Sequence, residues 1–285
     1  MTEKPLVQPL YKSIYLILIA MLSIQFGASV AKGLFPVAGP AGTTALRVFI
    51  SALILVLVMR PWREKFTASG LRRIAAYGIS LGLMNLLFYF ALERIPLGIA
   101  VALEFTGPLT VALLSSKRIL DLVWAVLAGL GIYLILPLSE VSQALDMVGV
   151  LLALGAGLFW ALYIVFGKST GKENSSSATA AVGMCFAAAV TFPVGLYTNF
   201  DQVVDPSLWM IGFVIAILSS ALPYSLEMKA MQNMPAKTFG ILMSLEPAFA
   251  TMIGILFLSE SLMPSQWLAI GCIMAASAGS TLTAR

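Results

Sequence analysis

The sequence contains no histidine, only two cysteines and few charged residues. Without histidine, a transition-metal site is not expected, and any proton relay has to use carboxylates instead of imidazole. Cys185 and Cys272 both lie inside apolar runs, away from any metal-binding or redox spacing. Free cysteines in such surroundings are usually small buried hydrophobic side chains. We therefore predict neither a metal centre nor a redox centre.

Charged residues make up only 11% of the 285 residues, whereas hydrophobic residues make up 60%. Soluble domains contain about 25% charged and roughly 45–50% apolar residues. A soluble fold could not bury this much apolar surface, so most of the chain is expected to lie in a lipid bilayer. The first apolar run, residues 14–31, is longer than the hydrophobic segment of a secretory signal, and we interpret it as an uncleaved membrane span.

Apolar segments long enough to cross a membrane recur along the whole chain, separated by short loops. The predicted fold class is therefore an all-α integral membrane protein with ten transmembrane helices. The predicted spans are at about residues 14–35, 43–59, 71–92, 96–116, 120–138, 147–167, 177–198, 208–228, 235–258 and 264–284.

Basic residues are concentrated in alternate loops between these segments. If the N-terminus is cytoplasmic, the cytoplasmic side receives all 17 lysine and arginine residues except Lys32, Arg47 and Arg94. An excess of lysine and arginine in short loops marks the cytoplasmic side of a membrane protein. We therefore predict that both termini are cytoplasmic. The net charge of +4 then reflects membrane topology, and we expect no nucleic-acid partner.

A proline-bounded stretch occurs twice in the chain. Pro96–Pro108 and Pro235–Pro247 each span thirteen residues, and each carries one acid, Glu104 in the first and Glu246 in the second. Another acid follows each stretch thirteen residues later. These following acids are Asp121 and Glu260. The correspondence predicts an internal repeat.

The repeat divides the chain into two predicted halves, residues 1–143 and 144–285. Each half contains five predicted spans, and because five is odd, the second half has to enter the membrane from the opposite side. The predicted architecture is therefore a pair of inverted five-helix repeats. Many secondary transporters have this arrangement and hold their substrate near the middle of the membrane.

The two acids of the repeat are expected at similar depths in the membrane. At about 1.5 Å per helical residue, Glu104 lies roughly 12 Å from the outer end of its span, and Glu246 lies roughly 16 Å from the inner end of its span. The hydrocarbon layer is about 30 Å thick, so both carboxylates are expected near its middle. We predict a central site there, used for substrate binding or proton coupling.

Two basic residues, Lys32 and Arg47, are expected in the outer half of the membrane together with Glu104. A charge inside the membrane costs about 2.5–3.5 kcal/mol on insertion scales, so each is expected to find a partner. One interpretation is that a zwitterionic substrate bridges them, with its carboxylate on a cation and its ammonium on an acid. The alternative is that Arg47 and Glu104 only neutralise each other and that Lys32 reaches the membrane surface.

Other polar and aromatic side chains fall inside the predicted spans. Aromatic residues at helical spacing are more often packing residues than binding residues, and both interpretations stay open for them. Glu227 lies at the end of a span, where it can reach water, and we interpret it as structural. The candidates for the wall of a central site are Gln25, Asn85, Tyr89, Trp160, Tyr163, Ser219, Ser220 and Tyr224.

Sequence motifs of enzymes and of ATP-driven pumps are absent from the chain. It contains no phosphate-binding loop, no zinc-protease motif and no paired serine and histidine. We therefore expect no enzyme activity and no cofactor.

Several stretches resemble the ten-helix drug/metabolite transporter superfamily in its EamA-type branch, over essentially the whole chain. These stretches are Ala45–Arg47, Pro96–Pro108, Phe159–Ala161 and Leu245–Glu260. Longer runs resemble the members of this branch that export amino acids. These runs are Ser23–Lys32, Pro96–Pro108 and Ala221–Met228.

The resemblance implies a secondary transporter of the bacterial inner membrane. Its expected activity is export of small neutral amino acids such as threonine and homoserine, by proton antiport and alternating access. The expected partners are a zwitterionic amino-acid substrate, protons and the lipid bilayer. The alternatives are an exporter of other metabolites or drugs, and a membrane scaffold that transports nothing.

Overall fold

The computed structural model of the chain describes residues 10–114, 119–135, 145–170, 175–231 and 242–283. Within these ranges the chain is helical and contains no strand, which confirms the all-α prediction. A short 3-10 helix, Pro61–Arg63, follows the first helix, and a π-helical segment, Ile217–Ala221, joins α9 to α10. The α-helices are α1 (Leu10–Met59), α2 (Ala68–Leu92), α3 (Leu97–Glu104), α4 (Thr106–Leu114), α5 (Ile119–Ile135), α6 (Met147–Thr170), α7 (Ser176–Thr198), α8 (Phe200–Val204), α9 (Pro206–Ala216), α10 (Leu222–Met231), α11 (Glu246–Leu258) and α12 (Pro264–Thr283).

The ten predicted spans coincide with helices of the described ranges. α1 contains the first two spans, α3 and α4 together form the fourth, and α9 and α10 form the eighth. Span nine is described from residue 242 onwards, mainly as α11. Among the residues that the structure describes, four helical stretches are long and apolar enough to cross a membrane by length and composition alone. They are Tyr11–Met59, Ala68–Leu92, Met147–Gly167 and Ser177–Thr198.

A single non-helical residue, Gly39, joins the first two predicted spans. Its φ of 64° and ψ of 166° fall in a region that is open mainly to glycine. A side chain at this position would also meet Asn199, whose Nδ2 lies 2.9 Å from the place of a Cβ atom. The connection is therefore shorter than predicted, because helix continues on both sides of this kink and Pro40 can occupy the start of a helix without losing a needed N–H.

Both proline-bounded stretches contain a helix break beside their acid. α3 ends at Glu104, and α4 begins two residues later. In the second stretch, α11 begins at Glu246 after a two-residue turn. Pro108 has no N–H to offer to the Glu104 carbonyl, and Pro247 lies in the first turn of α11, where its missing N–H costs nothing. The prolines thus account for breaks at corresponding places in the predicted repeat.

Helices from the two predicted halves pack against each other. α2 packs against α6 and α7, α1 packs against α7, and α3 packs against α6 and α11. The largest apolar cluster contains residues of α1, α2, α3, α6, α11 and α12. Side chains held among these helices therefore depend on both halves of the chain for their positions.

Two ion pairs lie at one end of the bundle, which we call the Glu260 end. Lys32 Nζ lies 2.7 Å from Glu260 Oε1, and Arg94 Nη1 lies 2.8 Å from Asp146 Oδ2. Asp146 also accepts a backbone N–H at the start of α6 at 2.8 Å. The hydrogen bond from Arg94 lowers the pKa of the Asp146 carboxyl. The charge distribution in the sequence predicts that this end faces the outside.

Candidate functional site

Arg47, in the second part of α1, lies at the centre of a buried hydrogen-bonded group. The residue is 3% exposed. Its Nη1 donates to the Ser219 carbonyl at 3.3 Å and to Ser220 Oγ at 3.1 Å, and its Nη2 donates to Asn85 Oδ1. The Tyr89 ring lies against the guanidinium, with 4.8 Å between the ring centroid and Cζ. We call these five residues the Arg47 group. α1, α2 and the π-helical segment all contribute to it.

The π-helical segment supplies acceptors because two of its carbonyls lack their usual partners. The N–H of residue 222, which an α-helix would direct to Leu218, bonds one residue further back. Pro223 has no N–H to offer to Ser219. Side chains from α1 use both carbonyls, since Ser23 Oγ donates to Leu218 O at 2.8 Å and Arg47 donates to Ser219 O. The break in the helix therefore helps to hold the buried cation.

Arg47 forms no ion pair with any carboxylate of the described residues. Glu104 is close enough to interact electrostatically with the guanidinium but does not contact it as an ion-pair partner. The hydrogen-bond partners of Arg47 are all neutral, and its Nε is buried without a partner in the described ranges. Glu104 therefore does not neutralise Arg47 through a direct ion pair. A buried charge in this situation is suited to an additional anionic partner.

Glu104 and Glu246 are both buried beside the Arg47 group. They are 7% and 5% exposed, so neither carboxylate faces lipid. Glu104 interacts electrostatically with both Glu246 and Arg47. Gln25 Nε2 donates to Glu246 Oε1 at 3.2 Å, whereas Glu246 Oε2 is buried and has no hydrogen-bond partner in the part of the chain that the structure describes. The structure thus brings one cation and two acids together inside the bundle, and Glu227 of α10 also interacts electrostatically with Glu246.

Lys32 lies apart from these residues, at the Glu260 end. Its Nζ pairs with Glu260 and donates to the Ile95 carbonyl at 3.3 Å. The Glu260 carboxylate also accepts the N–H of Leu97, the first residue of α3, at 3.1 Å and 2.9 Å. Because the first N–H groups of a helix have no partner within it, Glu260 caps α3 from the other half of the chain. The structure does not bring Lys32 to Arg47.

Of the remaining predicted aromatic residues, Trp160 lies at the break after α3 and Tyr163 lies against α2. Trp160, on α6, contacts Phe105 edge to face, with ring centroids 5.5 Å apart. Tyr163 packs against Tyr77 with centroids 4.7 Å apart, and the two hydroxyl oxygens are 3.3 Å apart. The side chain of Tyr224 lies outside the described part of the structure. Trp160 is therefore the described aromatic residue that touches the turn next to Glu104.

Two features of this arrangement are absent from the sequence predictions. Ser219 is predicted only as a wall residue, although its carbonyl, and not only its side chain, faces the site. The available signal is Pro223, four residues later, which cannot bond back to that carbonyl. The cap that Glu260 places on α3 is also unpredicted, and the acid that recurs after each proline-bounded stretch is its only signal.

These observations define the class of protein. Apolar helices of membrane-spanning length enclose a buried cation, two buried carboxylates and two helices broken at corresponding places. Buried charges and broken helices of this kind mark the substrate path of secondary transporters. The protein is a multi-pass membrane transporter.

Comparisons with known proteins agree with this class and give the family. The EamA-like transporter family matches residues 147–282. The threonine/homoserine exporter RhtA of Escherichia coli K12 is 50% identical over 97% of this chain and 94% of its own, and RhtA of Salmonella typhimurium LT2 has the same identity and coverage. An uncharacterized transporter of Bacillus subtilis, YwfM, is 30% identical over 83% of this chain and 82% of its own. The chain belongs to the EamA-like transporter family, whose members are transporters and not enzymes.

A solved structure also resembles the fold. A protein crystal structure covers 95% of this chain and 99% of its own, with a TM-score of 0.60 and 18% sequence identity. At this identity the similarity concerns the fold alone.

Proposed function

We propose that this protein exports small neutral amino acids of the threonine and homoserine type across the bacterial inner membrane. The observation that carries the proposal is a buried Arg47 without an ion-pair partner in the described ranges, beside two buried carboxylates. An amino acid has one negative and one positive group on neighbouring atoms, so it complements such a site at both ends. The RhtA relatives, at 50% identity, are named for the export of two amino acids of this size.

The substrate carboxylate binds Arg47 in this proposal, and the substrate ammonium binds Glu246. Hydrogen bonds between charged groups are short and strong where water is excluded. Glu246 Oε2 has no partner within the described ranges and is available to the ammonium. Gln25 holds the other oxygen of this carboxylate, and Asn85 and Tyr89 hold the guanidinium in place.

The wall of the site is assigned to Trp160, Tyr163 and Tyr224. Contact between Trp160 and the turn after Glu104 supports this assignment for the first of them. Lys32 is placed outside the substrate site in this proposal. Its ammonium already forms an ion pair with Glu260, at the Glu260 end.

Proton coupling is assigned to Glu104. When no substrate is bound, two acids that interact electrostatically lie in a site shielded from water, and a proton on one of them relieves their repulsion. A substrate ammonium relieves the same repulsion and displaces the proton. Proton and amino acid therefore occupy the site in turn, which gives antiport.

Transport proceeds by alternating access between two inverted repeats, residues 1–143 and 144–285. The helix breaks at corresponding places beside Glu104 and Glu246 support a site at the interface of the repeats. The excess of basic residues in alternate loops supports cytoplasmic termini and an outward Glu260 end.

The test uses the purified protein in lipid vesicles. Vesicles loaded with unlabelled threonine are expected to accumulate labelled threonine and homoserine by counterflow, whereas empty vesicles and vesicles with Arg47→Gln do not. Efflux driven by a proton gradient is expected to stop when a protonophore collapses the gradient.

Three results would contradict parts of this proposal. Absence of counterflow for every amino acid, with protein confirmed to be folded, would favour a scaffold. Counterflow of other metabolites or drugs alone would favour the alternative exporter. Export that continues unchanged after the proton gradient is collapsed would remove proton coupling.

A further inference from the structure

Two hydroxyl groups beside Arg47 are buried without a hydrogen bond of acceptable geometry to any described residue. Tyr89 is 2% exposed and Ser219 is 1% exposed. Neither Tyr89 Oη nor Ser219 Oγ has a hydrogen-bond partner of acceptable geometry in the described ranges, although the two side chains are close enough to interact. Nearly all buried polar groups of folded proteins are hydrogen-bonded, because leaving them unpaired is costly. The pair therefore calls for an explanation.

Three other described hydroxyl groups around Arg47 have partners. Ser220 Oγ accepts from Arg47 at 3.1 Å, Ser51 Oγ donates to the Arg47 carbonyl at 2.7 Å, and Ser23 Oγ donates to the Leu218 carbonyl at 2.8 Å. The lack of partners is thus a property of two particular residues and not of the whole region.

Both unpaired hydroxyl groups belong to residues that also hold the guanidinium. The Tyr89 ring lies 4.8 Å from Arg47 Cζ, and the Ser219 carbonyl accepts from Arg47 Nη1 at 3.3 Å. A small amino acid whose carboxylate is bound by Arg47 therefore carries its side chain into the neighbourhood of these hydroxyl groups. A hydroxyl on its β or γ carbon lies only a few bonds from the carboxylate.

We propose that Tyr89 and Ser219 bind the side-chain hydroxyl of the substrate and select amino acids that carry one. This inference rests on the proposed function and goes beyond it by assigning specificity to two residues. A substrate hydroxyl can donate to one of the two oxygens and accept from the other, which satisfies both. An apolar side chain of the same size leaves both buried hydroxyl groups unpaired.

The expected discrimination is larger than an apolar pocket provides. A pocket that recognises one methylene group separates substrates by about 10–200-fold, whereas a site built to hydrogen-bond a substrate hydroxyl can reject the analogue without it by about 10⁴-fold or more. Valine matches threonine in shape but has a methyl group in place of the hydroxyl. Norvaline stands in the same relation to homoserine. The two members of each pair differ in the hydroxyl group but have similar size and the same charge, so a comparison within a pair measures the effect of the hydroxyl group.

The experiment measures counterflow of each pair in vesicles containing the full-length protein. The wild type is expected to prefer threonine over valine, and homoserine over norvaline, by more than about 100-fold in kcat/KM. Tyr89→Phe and Ser219→Ala are each expected to lower this preference at least tenfold, because the hydroxylated substrate loses a partner and the apolar analogue does not.

A measurement of folding separates this role from a structural one. Because neither hydroxyl makes a hydrogen bond in the described ranges, neither variant is expected to lower the thermal unfolding temperature. Tyr133→Phe and Ser80→Ala are matched controls. Tyr133 is 58% exposed, and Ser80 Oγ donates to a carbonyl of its own helix, at 2.8 Å. Both controls are expected to keep the wild-type preference.

The inference fails if Tyr89→Phe and Ser219→Ala transport amino acids with the wild-type preference. It also fails if they lose both members of each pair equally, since that result would indicate a role in positioning Arg47. In both cases the wild type still transports amino acids, so the proposed function stands. A wild-type protein that transports no amino acid at all overturns the function and the specificity together.

Discussion

Glu104 ends α3 and Glu246 begins α11, so the two acids of the repeat occupy opposite kinds of helix terminus. The N-terminus of a helix stabilises a negative charge and the C-terminus opposes it. Glu246 also accepts from Gln25, whereas the Glu104 side chain receives no hydrogen bond from the described residues. The helix terminus and Gln25 therefore support a negative charge at Glu246, although the Glu227 carboxylate opposes it. This difference is the reason for assigning the ammonium to Glu246 and the exchanged proton to Glu104.

The first prediction concerns Glu104→Gln, which imitates an acid that cannot release its proton. Counterflow of threonine in vesicles is expected to continue, because the substrate still binds Arg47 and Glu246. Export driven by a proton gradient is expected to be lost, so cells that depend on this protein lose their protection against toxic homoserine. The two assays, performed on the same variant, separate binding from coupling.

Glu246→Gln provides the comparison for this prediction. It removes the proposed partner of the ammonium, so both counterflow and gradient-driven export are expected to be lost. Size-exclusion chromatography in detergent checks that both variants fold. Full homoserine protection by Glu104→Gln would exclude Glu104 from the transport mechanism.

The fold could be predicted from the sequence because its physical signals are local. Apolar segments of membrane-spanning length fix the positions of the helices, and Pro108 and Pro247, which follow Glu104 and Glu246, mark the breaks. The buried acids could be predicted for the same reason, since a charge within a long apolar segment has to face the interior of the protein. For Arg47 the prediction extended to burial but not to its partners.

The contacts that could not be predicted all join distant parts of the chain. Lys32 was a candidate for the central site, yet its ammonium reaches Glu260, 228 residues away. Which end of the bundle a flexible lysine side chain reaches depends on the packing of several helices, and no local pattern records it. The unpaired hydroxyl groups of Tyr89 and Ser219 are similar, because burial and hydrogen bonding are both properties of the folded structure.

The second prediction concerns Pro223→Ala. The substitution adds an N–H that can bond to the Ser219 carbonyl within the helix, in competition with Arg47. We expect KM for threonine to rise at least tenfold, since the guanidinium loses one of its acceptors. Stability is expected to stay the same or to increase, because a proline inside a helix is usually unfavourable by about 3 kcal/mol. Counterflow kinetics and thermal unfolding measure the two effects.

Pro193→Ala is the matched control, because Pro193 lies inside α7 and is exposed. It changes a helical proline without touching the acceptors of Arg47, so KM is expected to stay at the wild-type value. Equal effects of the two substitutions on KM would show that a general change in helix flexibility, and not the Ser219 carbonyl, controls substrate binding.

The third prediction concerns the contact of Glu260 with Lys32 and with the N-terminus of α3. Glu260→Gln removes the charge from both interactions and is expected to lower the free energy of unfolding by about 1–3 kcal/mol. In this variant the helices at the Glu260 end are also expected to separate more often, because this carboxylate connects α3 to the second half of the chain.

Opening can be measured with a cysteine at the contact between α3 and α11. Thr251 is 2% exposed and faces Gly98, so Thr251→Cys, after replacement of Cys185 and Cys272 by alanine, reports on separation of these helices. Glu260→Gln is expected to increase labelling by a membrane-impermeant thiol reagent several-fold. Arg94→Gln breaks the exposed ion pair at the same end and is expected to have little effect. Equal labelling in both variants would contradict a gating role for Glu260.

The fourth prediction concerns Arg47→Lys, which keeps the positive charge but not the planar fork of donors. A lysine ammonium cannot reach Asn85, Ser219 and Ser220 together and still offer a fixed face to a carboxylate. We expect KM for threonine to rise about 10- to 100-fold, which corresponds to the loss of one hydrogen bond between charged groups.

Threonine amide, which lacks the carboxylate, is expected to compete poorly with labelled threonine in the wild type, and this disadvantage is expected to shrink in Arg47→Lys. Arg94→Lys, outside the site, should change neither value. An unchanged KM in Arg47→Lys, or equal competition by threonine and its amide in the wild type, would show that the substrate carboxylate binds elsewhere.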